Sequence, residues 1–179
     1  MIGLQVRAYD NAADFLAEYD PFVPGCLVTD VRLPGMSGLD LQAYLQGQGM
    51  DIPMVIISGH GDISTAVAAM KAGAVNFVEK PFREQFFIDA VNEAIALDAK
   101  RRSKRAARAA LEEKLACLTK RERQILDRLV AGRPTREIAA DLHISPKTVD
   151  FHRQHVLDKM NVGTIVELVL LCETLRTPQ

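Results

Sequence analysis

Residues 118–160 read LTKRERQILDRLVAGRPTREIAADLHISPKTVDFHRQHVLDKM, and their punctuation decides the fold of the C-terminal third. Thr119-Lys-Arg-Glu122 has capping-box spacing, in which a hydroxyl and a carboxylate three residues on satisfy each other's backbone donors. It predicts a helix running to Ala131 and closed by Gly132. Thr135 is expected to cap a short helix over residues 136–142. Ser145-Pro146 supplies an N-cap followed by proline at the first helical position, so a third helix is expected from there to about Met160. Thr164-Ile-Val-Glu167 is a second capping box and predicts a last helix.

Two helices joined by the short turn His143-Ile144-Ser145 form a helix-turn-helix pattern. In the helix after Ser145, Val149, His152, Val156 and Met160 fall on one helical stripe, which must face inward. Lys147, Asp150, Phe151, Gln154 and Asp158 then face outward, as a helix reading the major groove requires. Gln154 can pair with adenine, Asp150 can accept from cytosine N4, and Phe151 can pack on a thymine methyl. Ser145, Lys147, Thr148, Arg153 and Lys159 suit phosphates, which position a helix without reading sequence. The competing reading is an ordinary helical bundle with a solvated polar face; His152 on the inner stripe reads as a packed core histidine.

The first half has a different rhythm. The runs GCLVTD (25–30), PMVIIS (53–58) and AVNFVE (74–79) read as strands of a parallel sheet buried on both faces. Residues 39–46 and 63–72 have helical spacing and end at Gly47 and Gly73, and residues 82–97 give a further helix. Strands alternating with helices imply an open α/β sheet. From about Asp89 to Leu115 nothing breaks a helix, and KRRSKRAARAALEEK reads as a basic helical linker.

The chain of 179 residues is 48% apolar with a net charge of −1. That balance hides a division: residues 1–98 carry 5 Lys and Arg against 13 Asp and Glu, and the rest carry 17 against 10. An acidic half joined to a basic one suggests two domains with different partners, the basic one facing phosphates. Cys26, Cys117 and Cys172 are too few and too scattered for a disulfide framework or a zinc site. No apolar run approaches the ~18–20 residues of a membrane span, and no signal-peptide pattern follows Met1. The expected location is cytoplasmic, with no membrane partner.

The stretch from Leu118 to about Leu171, with its LTxRExxIL, IAxxL and SxxTVxxH elements, resembles the LuxR-type helix-turn-helix of NarL/FixJ response regulators. The resemblance implies that the helix after Ser145 enters the major groove of double-stranded DNA and that the last helix supports dimerisation. Asp150 departs from the lysine of many relatives, so the target sequence does not carry over.

Asp30, Ser58 and Lys80 end the three candidate strands, where open α/β sheets collect their chemistry. A carboxylate nucleophile, a hydroxyl and an ammonium there could carry phosphoryl transfer. With TDxxLPGMSG, ISGHGD and VEKPF in order, residues 4–97 resemble a receiver domain of the FixJ group. The implied roles are phosphoacceptor for Asp30, switch hydroxyl for Ser58, switch aromatic for Phe77 and lysine of the site for Lys80, with a cis bond to Pro81. The Arg32 carbonyl and Asp30 would be Mg2+ ligands, and His60 lies in the switch loop without an assigned role. A sensor histidine kinase would be the phosphoryl donor of an intact relative, and the active form a homodimer paired through residues 63–79.

The sequence opens near what the resemblance makes the second strand, residues 4–9 (LQVRAY). The first strand, its acidic pair and the first helix fall outside it. Asp30 alone is a poor Mg2+ cage, which speaks against phosphorylation of this polypeptide. An interior strand of about 5–6 residues, burying apolar side chains at roughly 1.5–3 kcal/mol each, is worth on the order of 10 kcal/mol. A whole domain has about 5–15 kcal/mol, so the expectation is a start codon upstream, with strands that rearrange, pair between chains or stay partly unfolded as the alternative. The predicted architecture is an incomplete flavodoxin-like receiver with a parallel sheet (1–97), a helical basic linker (98–115) and an all-α helix-turn-helix domain (116–179). The expected function is a DNA-binding regulator of a two-component phosphorelay. The alternative is a decoy that pairs with full-length regulators independently of phosphorylation. An aspartate-nucleophile phosphatase would need an acid two residues after Asp30, where Arg32 stands.

Overall fold

A computed structural model describes residues 3–59 and 63–176. The chain divides into two compact units, Met1–Arg102 and Ser103–Gln179. The N-terminal unit holds α1 (Ala12–Glu18), β1 (Leu27–Asp30), α2 (Gly38–Gly47), β2 (Met54–Ser58), α3 (Ile63–Lys71) and β3 (Asn76–Glu79). Helix α4 (Glu84–Ala116) begins there and continues into the second unit, which adds α5 (Lys120–Val130), α6 (Thr135–Asp141), α7 (Pro146–Met160) and α8 (Ile165–Arg176).

The three strands form one parallel sheet in the order β1-β2-β3. Its register sets Asp30 opposite Ile57 and Ser58 opposite Glu79. Central β2 is covered on both faces, as its uninterrupted apolar sequence requires. Ile56 packs with Ala69 of α3 and Ala74, whereas Val55 packs with Val78 and with Ala90 and Ala94 of α4. Met54 joins a third cluster in which Phe15 of α1 meets Leu41 and Leu45 of α2.

Residues 4–9 are not a strand, contrary to the sequence expectation. Among the described residues β1 pairs with β2 alone, so this segment has no ladder to join and its β-formers stay in water; Val6 is 83% exposed. Helix α1, which the apolar pattern does not announce, is started by Asn11, whose side chain accepts from the Asp14 amide. The early part of α4 is held by charge. Buried Asp98 accepts from the Gly25 amide at 2.9 Å and from Arg102 Nε at 2.7 Å. The Arg102 guanidinium also donates to the carbonyls of Pro21, Phe22 and Val23. Residues 103–110 are exposed, as a solvated basic run should be.

The C-terminal unit has one core, built from Leu111, Ile125, Leu126, Leu129, Ile138, Val149, Val156, Met160 and Leu168. The Thr119–Glu122 capping box opens α5 as expected. At α6 the sequence reading needs correction, because Pro134 is the N-cap and makes no side-chain cap, while Thr135 is the first helical residue. The Pro134 carbonyl accepts from Glu137 and Ile138, so the turn starts one residue early. The Thr164 hydroxyl accepts from the Glu167 amide, but the Glu167 carboxylate answers Gly163 rather than Thr164.

His143, in the turn between α6 and α7, has φ +52, in the left-handed region that penalises a side chain. His143→Gly is therefore expected to raise stability by about 0.5–1 kcal/mol, read as a higher urea midpoint at unchanged slope. A lower midpoint would mean that the imidazole contributes more than the backbone loses.

Candidate functional site

Two groups of side chains stand out, one in each unit. At the carboxyl end of the sheet, Asp30 Oδ2 accepts from Lys80 Nζ at 2.7 Å and Oδ1 from the Arg32 amide at 2.9 Å. Burial pushes the Asp30 carboxyl up, but the Lys80 hydrogen bond, the Arg32 amide and both positive charges outweigh it and hold it below its usual value. The Lys80–Pro81 bond is cis. Ser58 is buried at the end of β2 and its carbonyl accepts from the Lys80 amide at 2.7 Å. Phe77 is half-buried beside Ile56 and Ala69. His60 lies outside the described residues, as does the end of the ISGHGD motif.

The loop after Asp30 comes back close to the strand. The Gly38 amide donates to the Val31 carbonyl, and a Cβ at Gly38 would stand 2.3 Å from the Asp30 carbonyl oxygen. Only glycine fits without moving the backbone that carries Asp30.

This donor set does not suit Mg2+. Both Asp30 oxygens already face donors, Oδ2 a cation. Among the described residues no three His, Cys, Asp or Glu side chains converge as a metal site. A magnesium ion needs several hard oxygen ligands, and Asp30 with the Arg32 carbonyl supplies too few.

The second group lies on α7. Ser145 Oγ caps the helix by accepting from the Thr148 amide at 3.0 Å, and Pro146 follows at its first position. Val149, Val156 and Met160 are fully buried, while Lys147, Asp150, Phe151, Gln154 and Asp158 are exposed. Thr148 and Arg153 are half-exposed beside that edge. His152 packs on the inner side, with its Nδ1 buried and without a partner among the described residues.

Not every outward cation is available. Lys159 Nζ donates to Glu122 Oε2 at 2.7 Å and to the Cys117 carbonyl at 3.3 Å, so its ammonium is engaged within the unit. A phosphate would have to compete with these partners for it. Sequence reasoning also passes over His155, whose ring centroid lies 4.2 Å from that of Phe151; the available signal is their i,i+4 spacing. Burial pushes Glu122 up, but hydrogen bonds from Lys159 and Thr119 and the Lys159 charge bring it down to about 2.

A parallel sheet with Asp30, Ser58 and Lys80 at its carboxyl ends, joined in one chain to a helix-turn-helix unit, defines the class of two-component response regulators. The family described as "Response regulator receiver domain" matches residues 2–92, and that described as "Bacterial regulatory proteins, luxR family" matches residues 116–172. The response regulator protein TodT of Pseudomonas putida is 43% identical over 175 residues, covering 98% of this chain and 77% of TodT. The transcriptional regulatory protein FixJ of Rhizobium meliloti is 43% identical over 173 residues, covering 94% and 83%. The solved structure of the response regulator StyR aligns with a TM-score of 0.85 at 42% identity, covering 96% of this chain and 87% of that one. This chain belongs to the FixJ-like response regulators, which join a receiver domain to a LuxR-type DNA-binding domain. Domains of these kinds partner with histidine kinases and with DNA, and the decoy reading is not favoured. No helix among the described residues is long and apolar enough to cross a membrane.

The Glu122–Lys159 pair has a pH signature. The folded value of about 2 lies below the unfolded one of about 4.3. Its stabilisation is therefore complete above the unfolded value and disappears as pH falls through the folded one. Lys159→Ala is expected to cost about 1 kcal/mol at neutral pH, because the ammonium is partly solvated and screened. That deficit should shrink between pH about 4.5 and 2, in urea unfolding followed by circular dichroism. A deficit constant across that window would show that the pair is not its source.

Proposed function

We propose that α7 docks its outer edge in the major groove of duplex DNA. What supports this most directly is one helix with a fully buried inner stripe and a polar, exposed opposite edge. Lys147, Arg153 and the Ser145–Thr148 end of the helix would meet phosphates. Asp150, Phe151 and Gln154 would face base edges. Residues 1–97, 98–115 and 116–179 would be receiver, linker and output domain.

The protein would act as a homodimer on paired half-sites. On α3, Ile63, Val67 and Met70 form an exposed apolar stripe, Ile63 at 84% exposure, which a second receiver would cover. Such a protein is a transcription regulator rather than an enzyme, with Asp30 as the phosphoacceptor position and Ser58, Phe77 and Lys80 as its readout. Labelling of Asp30 would need Mg2+ and oxygen ligands beyond those the described residues supply.

Fluorescence anisotropy with duplex DNA tests the first part. Lys147→Ala should weaken binding to all duplexes and lower the salt slope by about 1. Gln154→Ala should cost about 1–3 kcal/mol on a preferred site if it reads a base. Ile63→Lys should flatten the titration on a paired half-site. Wild-type binding by the double variant Lys147→Ala, Gln154→Ala would remove the α7 assignment.

Acetyl phosphate with Mg2+ tests the second part. This polypeptide should show no label that is lost in Asp30→Asn. Strong Asp30-dependent labelling, detected by intact mass, would show that the donor set at the sheet end suffices.

A further inference from the structure

The exposed edge of α7 is not equally free along its length. Asp150 faces Arg153 at 3.6 Å, and Gln154 Nε2 donates to Asp158 at 2.9 Å. Both polar candidates for base reading therefore have partners on their own helix, which a base would have to displace. Phe151 is different. Its ring is 58% exposed although it is large and apolar, and it has aromatic neighbours on its own helix. The His155 ring lies against it at 4.2 Å between centroids, and His152 meets it edge-on at 5.7 Å. His155 Nδ1 also stands 3.8 Å from the buried Glu122 carboxylate, beyond hydrogen-bond reach. A wedged aromatic ring held out in water gains most from apolar cover, and the apolar group that a major groove offers is the thymine 5-methyl.

We infer that Phe151 reads a thymine methyl as the principal base contact of this helix, and that His155 is a positioning residue that holds the Phe151 ring for it. The inference rests on the DNA-binding reading above and adds which contact dominates and what orients the reader. The neighbouring Glu122 is buried and is held by hydrogen bonds from Lys159 and Thr119.

The test begins with the preferred duplex selected by the full chain from a random library. Each thymine is then replaced singly by deoxyuridine, which removes the methyl alone. Loss of one buried methyl is expected to weaken wild-type binding about three- to fivefold at one position per half-site. Phe151→Ala should bind thymine and uracil duplexes equally at that position. His155→Ala should narrow the thymine-to-uracil ratio, and His155→Tyr, which preserves an aromatic neighbour, should restore it. A purely structural role for His155 would lower all affinities and leave the ratio unchanged, which overturns its positioning role. If no thymine is sensitive in the wild type while DNA binding persists, the inference falls and the proposed function stands. If no salt-dependent duplex binding occurs, both fall.

Discussion

The burial of one edge of α7 is the constraint from which the C-terminal unit takes its form. Val149, Val156 and Met160 are completely enclosed by residues of α5, α6 and α8. A helix turns through 3.6 residues, so fixing that stripe leaves the opposite edge no choice of direction. The polar edge is thus set by the core rather than by its own interactions. The helix ends are secured separately, by Ser145 at the start and by Asn161 in the left-handed conformation at the finish. Arg121 donates to the Leu142 carbonyl and Lys114 to the Met160 carbonyl, so the last turns of α6 and α7 have partners for their orphan acceptors.

In the N-terminal unit the equivalent constraint is parallel pairing. Parallel strands must all finish at the same end of a sheet, and this alone brings Asp30, Ser58 and Lys80 together from distant parts of the chain. The Asp30–Lys80 ion pair is partly solvated, at 29% and 46% side-chain exposure, so screening limits what it adds to stability. Its effect is on the state of the carboxylate, which stays ionised and oriented.

Much of this was legible from residue order. Three apolar runs became the three strands, and glycine or serine punctuation located α2, α5 and α7 to within a residue or two. Residues 4–9 show where local pattern fails, because a strand exists only with a neighbour and no local signal reveals whether the neighbour is there. Helix α1 is seven residues long, too short for periodicity to register, and rests on Asn11 and on Phe15 packing against α2. The Lys159–Glu122 pair was not legible, because outward phase on a helix says nothing of a carboxylate buried on a neighbouring one. His155 was passed over because i,i+4 spacing from Phe151 is a weak signal that many helical pairs share.

The strand register also bears on how the chain reaches this state. Pairing Leu27 with Met54 and Val55 with Asn76 joins residues more than twenty positions apart, so each ladder closes across a whole crossover helix. The helices of the C-terminal unit need contacts of shorter sequence separation, and topologies of that kind condense faster. A ribosome releases the slow half first. During synthesis the apolar face that β2 and β3 present through Val55 and Val78 therefore remains open to chaperones before Ala90 and Ala94 of α4 cover it.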